Sequence, residues 1–134
     1  MKADAPALFS HLVPILPVTN VAASLQYYHK RLGFDIQFKW GEPMDYAAVK
    51  RGEAVAFHLN EVSPEDQHHS FTPQTLRIFV YDVNQVHQEF LQQGVSLTRP
   101  IGNREYGIRD FEIEDPDGHR LIIGTGLEYL PEHA

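Results

Sequence analysis

The sequence predicts an α+β fold built from two tandem β-α-β-β-β modules. Residues 12–60 and 75–125 each begin with an apolar strand, continue through one short amphipathic helix and end in further strands. Both helix starts carry a valine pair at the same offset. These pairs are Val18 with Val21 and Val80 with Val83. A chain of two similar modules commonly places its site between them, so a cleft is where we expect function to lie.

Hydrophobic periodicity sets the elements of the first module. Apolar residues recur at helical spacing from Val21 to Leu32, and Gly33 then supplies a left-handed stop. Thr19 or Asn20 is the expected helix cap. Strands are predicted at 12–18, 34–40, 46–50 and 54–59. Four alternating residues of the second strand are expected to share one side: Phe34, Ile36, Phe38 and Trp40.

The second module repeats this pattern. A helix is predicted over 83–94, capped by Asp82 or Asn84 and ended by Gly94. Strands are predicted at 76–81, 95–98, 108–114 and 121–125, with a loop at 100–105 and a tight turn at Asp115–Gly118. The whole chain is therefore expected to be one domain. Its parts are a first module at about 10–60, a linker at about 61–73 and a second module at about 74–126.

Composition restricts the classes of function. The 134 residues contain no cysteine, which excludes disulfides and thiolate chemistry. The formal net charge of −7 argues against nucleic acid as a partner and is compatible with a cationic ligand. No apolar run approaches a membrane span, and the first residues lack the apolar core of a secretory signal. We therefore expect a cytoplasmic protein with no membrane partner.

Two segments carry a resemblance to a known family. They are ILPVTNVAASLQYYHKRLGF at 15–34 and REYGIRDFEIEDPDGHRLIIG at 104–124. With this repeat they resemble the glyoxalase/bleomycin-resistance/dioxygenase superfamily, also called vicinal oxygen chelate proteins, and within it the bleomycin-resistance branch. The resemblance runs from about Leu12 to Gly126. It implies modules whose mixed sheet curls around an open cleft, and a homodimer that often pairs modules between subunits.

The resemblance also assigns four positions at which the enzymes of this superfamily hold a divalent ion. In this chain they are Val13, His58, Thr75 and Ile122. Only the histidine is a good ligand, whereas a mononuclear catalytic centre needs about three protein ligands. We therefore expect no metal and no other cofactor. A register slip that brings His11 beside His58 remains an open alternative. The remaining candidates are expected to be surface or hydrogen-bonded histidines: His68, His69, His87, His119 and His133.

Without a metal, a cleft binds through shape, aromatic stacking and a few polar groups. The alternation of residues 54–59 places His58 opposite the large apolar side chains and beside small alanines, as in a cleft wall. Trp40 is a candidate stacking platform, with core or dimer interface as the alternative. The full set of candidate ligand-binding residues is Phe38, Trp40, Tyr46, His58, Tyr106, Arg109 and Phe111.

Charged residues of the strand at 108–114 allow two interpretations. Arg109 can meet a ligand anion, or it can pair with Glu112 as a structural ion pair. Asp110, Glu112 and Glu114 share one face, which is either a wet outer face or a wall that attracts cations.

Three functions are consistent with these observations. The leading hypothesis is a metal-free binding protein of the bleomycin-resistance type, which sequesters a bulky planar or cationic small molecule at a dimer cleft and so confers antibiotic resistance. Bleomycin is one candidate ligand. The second is a metal-dependent lyase, isomerase or dioxygenase with relocated ligands. The third is an interaction module that uses its dimer surface and fills the cleft with its own side chains.

Overall fold

The structure is a computed structural model that describes residues 5–63, 65 and 71–130. It contains two four-stranded mixed sheets and two helices, which confirms the predicted α+β class. The first module comprises β1 (Ile15–Val18), α1 (Val21–Gln26) with a π-helical continuation (Tyr27–Arg31), β2 (Asp35–Trp40), β3 (Tyr46–Arg51) and β4 (Val55–Glu61). Parts of the predicted linker, including His68 and His69, lie outside the described residues, as does His133.

The second module repeats the order of elements. It comprises β5 (Thr75–Phe79), α2 (Val83–Gln92), β6 (Leu97–Asn103), β7 (Ile108–Glu114) and β8 (Arg120–Gly126), followed by a 3₁₀ turn at Leu127–Tyr129. The strand orders are β1-β4-β3-β2 in the first sheet and β5-β8-β7-β6 in the second. In each sheet the opening strand pairs parallel to the closing strand, and the other pairs are antiparallel.

The helix boundaries follow local side-chain chemistry. The Asn20 side chain accepts a hydrogen bond from the backbone N–H of Ala23, and the Asp82 side chain accepts from two N–H groups at the start of α2. Each bond satisfies a donor that the first turn of a helix leaves open. Gly33 and Gly94 have φ values of +73° and +76°, so both helices end in the left-handed conformation that glycine adopts without strain.

Two predicted strand boundaries were wrong. The first strand begins at Ile15 rather than at residue 12. Residues 100–103, predicted to lie in a loop, belong to β6, whose register against β7 shifts between Leu97 and Arg99 and again between Arg99 and Gly102. Proline has no N–H group to donate to a neighbouring strand, so it is tolerated in edge strands and at bulges. The bulged edge strand β6 therefore accommodates Pro100.

The prediction that Phe34, Ile36, Phe38 and Trp40 share one side was also wrong. The register of β2 against β3 shifts between Ile36 and Phe38. Phe34 is buried and Ile36 pairs with the buried Val49, whereas Phe38 and Trp40 are exposed. A bulge adds one residue to one strand and so reverses the faces of everything after it. It therefore moves two aromatic side chains from the core to the surface.

One hydrophobic core joins the two modules. The inner faces of both sheets and the buried faces of both helices contribute to a single cluster. Tyr28 of the π-helical segment is completely buried, with its ring centroid 5.6 Å from that of Phe34 and 5.7 Å from that of Phe57. Each sheet therefore has an inner face against this shared core and an outer face turned away from it.

The predicted turn at Asp115–Gly118 attaches the second module to the first. The Tyr28 hydroxyl donates to Asp115 Oδ2 at 2.8 Å, and Asp117 Oδ1 accepts from the N–H and the hydroxyl of Thr19 at 3.0 and 2.8 Å. Buried His119 accepts a bond at Nδ1 from the N–H of Gln74, which leaves Nε2 to donate to a backbone carbonyl of β1. This histidine is thus a hydrogen-bonded structural residue, as predicted.

A matching contact attaches the first module to the second. Arg51, at the end of β3, donates two hydrogen bonds of 2.7 Å to the two carboxylate oxygens of Glu89 in α2. The same guanidinium donates to the carbonyl of Leu32. The β-hairpin of each module therefore contacts the helix of the other, which fixes how the two modules meet.

We predict that Tyr28→Phe lowers the free energy of unfolding by about 1–3 kcal/mol, because it leaves a buried oxygen of Asp115 without its donor. Tyr27→Phe is the matched control, since the hydroxyl of Tyr27 bonds an exposed backbone carbonyl at 3.2 Å. Urea unfolding of both variants measures the difference. Equal losses would show that the Tyr28–Asp115 bond has no special part in joining the modules.

Candidate functional site

An aromatic cluster occupies the outer face of the first sheet. Phe38, Trp40, Tyr46 and His58 lie on β2, β3 and β4, and we call them the aromatic wall. Phe38 pairs with Ala48, which in turn pairs with His58, and Trp40 pairs with Tyr46. Cross-strand neighbours share one face of a sheet. The structure therefore brings together four of the seven residues predicted to bind a ligand.

The rings of the wall contact one another. The His58 ring lies 5.4 Å from both the Phe38 and Tyr46 rings, in edge-on geometry, and the Tyr46 hydroxyl lies 2.7 Å from His58 Nδ1. Phe38 and Tyr46 are nearly parallel, with centroids 6.3 Å apart. Trp40 is 71% exposed, so it is not a core residue. The wall offers flat apolar surface and a hydrogen-bonding edge, which suits a planar ligand.

His58 lies on the side of β4 away from the large apolar residues, as predicted. Its neighbours Phe57 and Leu59 are buried in the core, while His58 itself is half-buried on the opposite face. The small side chain of Ala48 beside it leaves the imidazole accessible from the outer face.

The outer face of the second sheet is dominated by charged side chains. Asp110 is completely buried and accepts three side-chain hydrogen bonds. They come from Arg104 Nε at 2.8 Å, the Tyr106 hydroxyl at 2.9 Å and an Nη of Arg77 at 3.3 Å. Burial by itself raises the pKa of Asp110, but these three bonds outweigh it and hold the pKa below its ordinary value. The carboxylate therefore stays ionised, with its acceptor sites already occupied.

Glu112 forms a second node of the same network. It is nearly buried and lies within salt-bridge distance of Arg99 (3.4 Å) and Arg120 (3.5 Å). Arg99 also reaches the hydroxyl of Tyr106 at 3.5 Å, which links the two nodes. Neither predicted role for these carboxylates holds, because Asp110 and Glu112 are neither wet nor open to an external cation.

Sequence reasoning missed the arginines of this face. They are Arg77, Arg99, Arg104 and Arg120, which we call the arginine set. A signal was available for two of them. Arg77 stands between the less exposed Leu76 and Ile78, and Arg120 precedes the buried Leu121, so the period of two places both on the outer face. Arg99 could not be placed because its strand was predicted to end at residue 98.

Two predicted site residues face the other way. Phe111 is completely buried against Phe90 and His87, so it is a core residue and cannot line a surface site. Arg109 donates to the side-chain oxygens of Asn84 and Asn103, on the helix side of β7. The expected Arg109–Glu112 pair was therefore wrong. Odd-numbered and even-numbered residues of β7 lie on opposite faces of the sheet, so these two side chains point apart. Tyr106 is 54% exposed and belongs to the outer face.

The histidines that the structure describes do not gather around a common point. The strand register places Ile15, not His11, opposite His58, and His11 is exposed beside Ser10. Within residues 5–63, 65 and 71–130 no three His, Asp or Glu side chains are grouped so that they could hold a metal ion. Of the four positions carried over from the family, Thr75 and Ile122 lie beside Arg120 and Arg77 in the second sheet.

A groove of about 990 Å³ opens between the modules at another place. Its walls are mainly apolar, and two of its three charged side chains, Arg51 and Asp82, are engaged by other groups. Arg51 binds Glu89, and Asp82 caps α2. Mainly apolar walls with a few polar groups, here including Gln85, Thr125 and Tyr129, are typical of a small-molecule pocket, so the groove is the alternative site. The outer faces differ from it in grouping exposed rings with polar side chains. We take the outer faces as the candidate site.

Fold and outer faces together define a two-module α+β protein with an aromatic and an arginine-rich sheet face. The family model of the Glyoxalase/Bleomycin resistance protein/Dioxygenase superfamily matches residues 8–123. The chain belongs to this superfamily. No protein with a curated function matches its sequence. No helix within the described part of the chain is long and apolar enough to cross a membrane.

Solved structures of similar fold include antibiotic-binding proteins. The bleomycin-binding protein of bleomycin-producing Streptomyces verticillus, in complex with copper(II)-bleomycin, is 25% identical, with a TM-score of 0.71 over 90% of this chain and 99% of that one. TnmS3, an antibiotic binding protein from Streptomyces sp. CB03234, is 20% identical (TM-score 0.72; 91% and 99%). TioX from Micromonospora sp. ML1 is 19% identical (TM-score 0.74; 89% and 100%).

We predict that Asp110→Asn lowers the free energy of unfolding at pH 7 by about 1.5–3 kcal/mol, because the variant loses charged hydrogen bonds to Arg77 and Arg104. The folded pKa of Asp110 lies below its ordinary 3.8, so this stabilisation is complete above that pH and is lost as the pH falls through the lower folded value. The difference between wild type and variant should therefore narrow below pH 3.8.

Urea unfolding between pH 3 and pH 7 measures this dependence. Glu114→Gln is the matched control, since Glu114 is an exposed carboxylate on the same strand and face. We expect it to change stability by less than about 0.5 kcal/mol. A difference for Asp110→Asn that stays constant down to pH 3 would contradict the assigned ionic role.

Proposed function

We propose that this protein binds and sequesters a bulky planar small molecule without transforming it, as a binding protein of the bleomycin-resistance type. The observation that carries the proposal is the aromatic wall. Phe38 and Trp40 are 44% and 71% exposed, although a bulge in β2 was needed to turn them away from the core. Exposed rings grouped with a hydrogen-bonded Tyr46–His58 edge are typical of a stacking site. The likeness to antibiotic-binding proteins supports this function.

We further propose that the site is completed by a second copy of the chain. Within one chain the two outer faces turn away from the shared core, so they cannot close on one ligand. A homodimer that sets the aromatic wall of one copy against the arginine set of the other forms a cleft with two walls. Exposed apolar side chains near the chain start, Leu8 (95%), Phe9 (98%) and Leu12 (80%), support association with another copy.

Calorimetric titration tests ligand binding with two probes, bleomycin and the uncharged planar 2-naphthalenemethanol. We expect Trp40→Ala and Phe38→Ala each to weaken binding by about three- to tenfold, the range that one stacking contact supplies. Tyr81→Ala is the matched control, because Tyr81 is 98% exposed and lines the groove between the modules. If only Tyr81→Ala lost binding, the ligand site would lie in that groove. If neither probe gave a heat of binding to the wild-type protein, the proposed function would be wrong for both probes.

Sedimentation and complementation test the shared cleft. We expect a particle of twice the 15.3 kDa chain mass. A heterodimer of a Trp40→Ala chain and a Tyr106→Ala chain should keep one unaltered cleft, because the intact aromatic wall of one copy faces the intact second sheet of the other. Calorimetry should then find one naphthalenemethanol site of wild-type affinity per heterodimer, whereas both sites of each mutant homodimer should be weakened. A monomer, or a heterodimer with no tight site, would contradict the arrangement.

A further inference from the structure

The outer face of the second sheet is locally cationic in an acidic protein. Its four arginines meet two buried carboxylates, Asp110 and Glu112, and one exposed carboxylate, Glu114. The four arginines therefore outnumber the three carboxylates of β7, although the whole chain carries −7. Charge within a few ångströms, rather than net charge, decides which group a site attracts.

The carboxylates lie beneath the guanidinium groups. The side chains of Asp110 and Glu112 are 0% and 11% exposed, while those of Arg99 and Arg120 are 42% and 48% exposed. An approaching ligand therefore meets N–H donors first and finds acceptors that are already occupied. Glu114, at the end of β7, is the exposed carboxylate of this strand face, whereas Asp110 and Glu112 are covered and the guanidinium groups over them offer donors to an anion.

Several donors remain available. A guanidinium group has five N–H donors. Between the described residues, Arg77, Arg99 and Arg120 use only one terminal nitrogen each, so their Nε–H groups make no bond there. Each can donate two parallel bonds to one oxyanion, which is the geometry that carboxylate and phosphate groups prefer.

Aromatic rings continue across the same face. The guanidinium carbon of Arg77 lies 5.6 Å from the centre of the Tyr106 ring and 5.9 Å from that of Phe79. Both rings are more than half exposed. A guanidinium group held between rings presents a flat cationic surface beside apolar area, and a planar ligand with an anionic substituent matches both.

We propose that Arg77, Arg99 and Arg120 of the arginine set form an oxyanion subsite, and that the ligand is a planar aromatic molecule bearing a carboxylate, sulfonate or phosphate group. The planar part rests on the proposed function, because it assigns the ring system to the aromatic wall of the partner copy. The oxyanion part rests on the arginine set alone. The proposal replaces the expected cationic ligand with an anionic one.

Two measurements test the subsite. The first is NMR titration of the wild-type protein with inorganic phosphate, observed at the arginine Nε–H signals. We expect saturable shifts for Arg77, Arg99 and Arg120, which are assigned from the single Arg→Gln variants. The Arg109 signal is the internal control, since its Nε is bonded to Asn84 on the opposite face and should not move.

The second measurement compares 2-naphthoate with 2-naphthalenemethanol by calorimetry. We expect the naphthoate to bind about tenfold more tightly, because charge-assisted hydrogen bonds are added. Arg99→Gln and Arg120→Gln should each remove most of this preference. Lys30→Gln, which removes one exposed positive charge from the helical region, should leave it unchanged.

The two proposals fail in different ways. The oxyanion subsite is overturned if phosphate leaves the three signals in place and naphthoate binds no more tightly than naphthalenemethanol, even where naphthalenemethanol binds well. The subsite is supported if phosphate shifts the three arginine signals but not that of Arg109, or if naphthoate binds more tightly and this preference is lost in the arginine variants but kept in Lys30→Gln. Failure of naphthalenemethanol to bind, with a phosphate response intact, overturns the planar stacking site and leaves the oxyanion subsite standing.

Discussion

The arrangement of this protein depends on polar contacts that join the modules around one core. The Asp115–Gly118 turn reaches the Tyr28 hydroxyl and Thr19 of the first module, and Arg51 reaches Glu89 of the second. Tyr28 contributes to both the core and the junction, because its ring packs among phenylalanines while its hydroxyl donates to a carboxylate. Buried polar groups of this kind tolerate few substitutions. Removing one partner leaves the other buried without a hydrogen bond, which lowers the stability of the fold.

This junction determines which surfaces are free for function. Both helices and both inner sheet faces contribute to the shared core, which leaves the outer faces and the groove between the modules as surfaces for a ligand. The residues on these faces are chemically unlike those of the core. One face carries rings that pack on each other at its surface, and the other carries arginines over buried carboxylates. Neither pattern contributes to the hydrophobic cluster, which is why we assign them to binding.

Much of the fold could be predicted from periodicity, and the errors have local physical causes. The facing of His58 followed from simple alternation in β4, where no bulge intervenes. Alternation failed in β2, because the register shift after Ile36 is invisible in a run of regularly spaced apolar residues. Likewise, Pro100 and Gly102 are typical of a loop, but the bulged edge strand β6 accommodates both.

The candidate site was harder to predict than the fold, because it depends on pairings between strands. Alternation correctly separated Asp110 from Phe111, and following it strictly would have excluded Phe111 and Arg109 from the outer face.

The partners of Asp110 come from β5 and from the loop after β6, so no local pattern shows that its charge is already matched. Three carboxylates in one strand therefore suggest an acidic wall in the sequence, whereas the folded chain places guanidinium groups over two of them. The preference of such a face is set by the exposed group of each ion pair, and here that group is the cation.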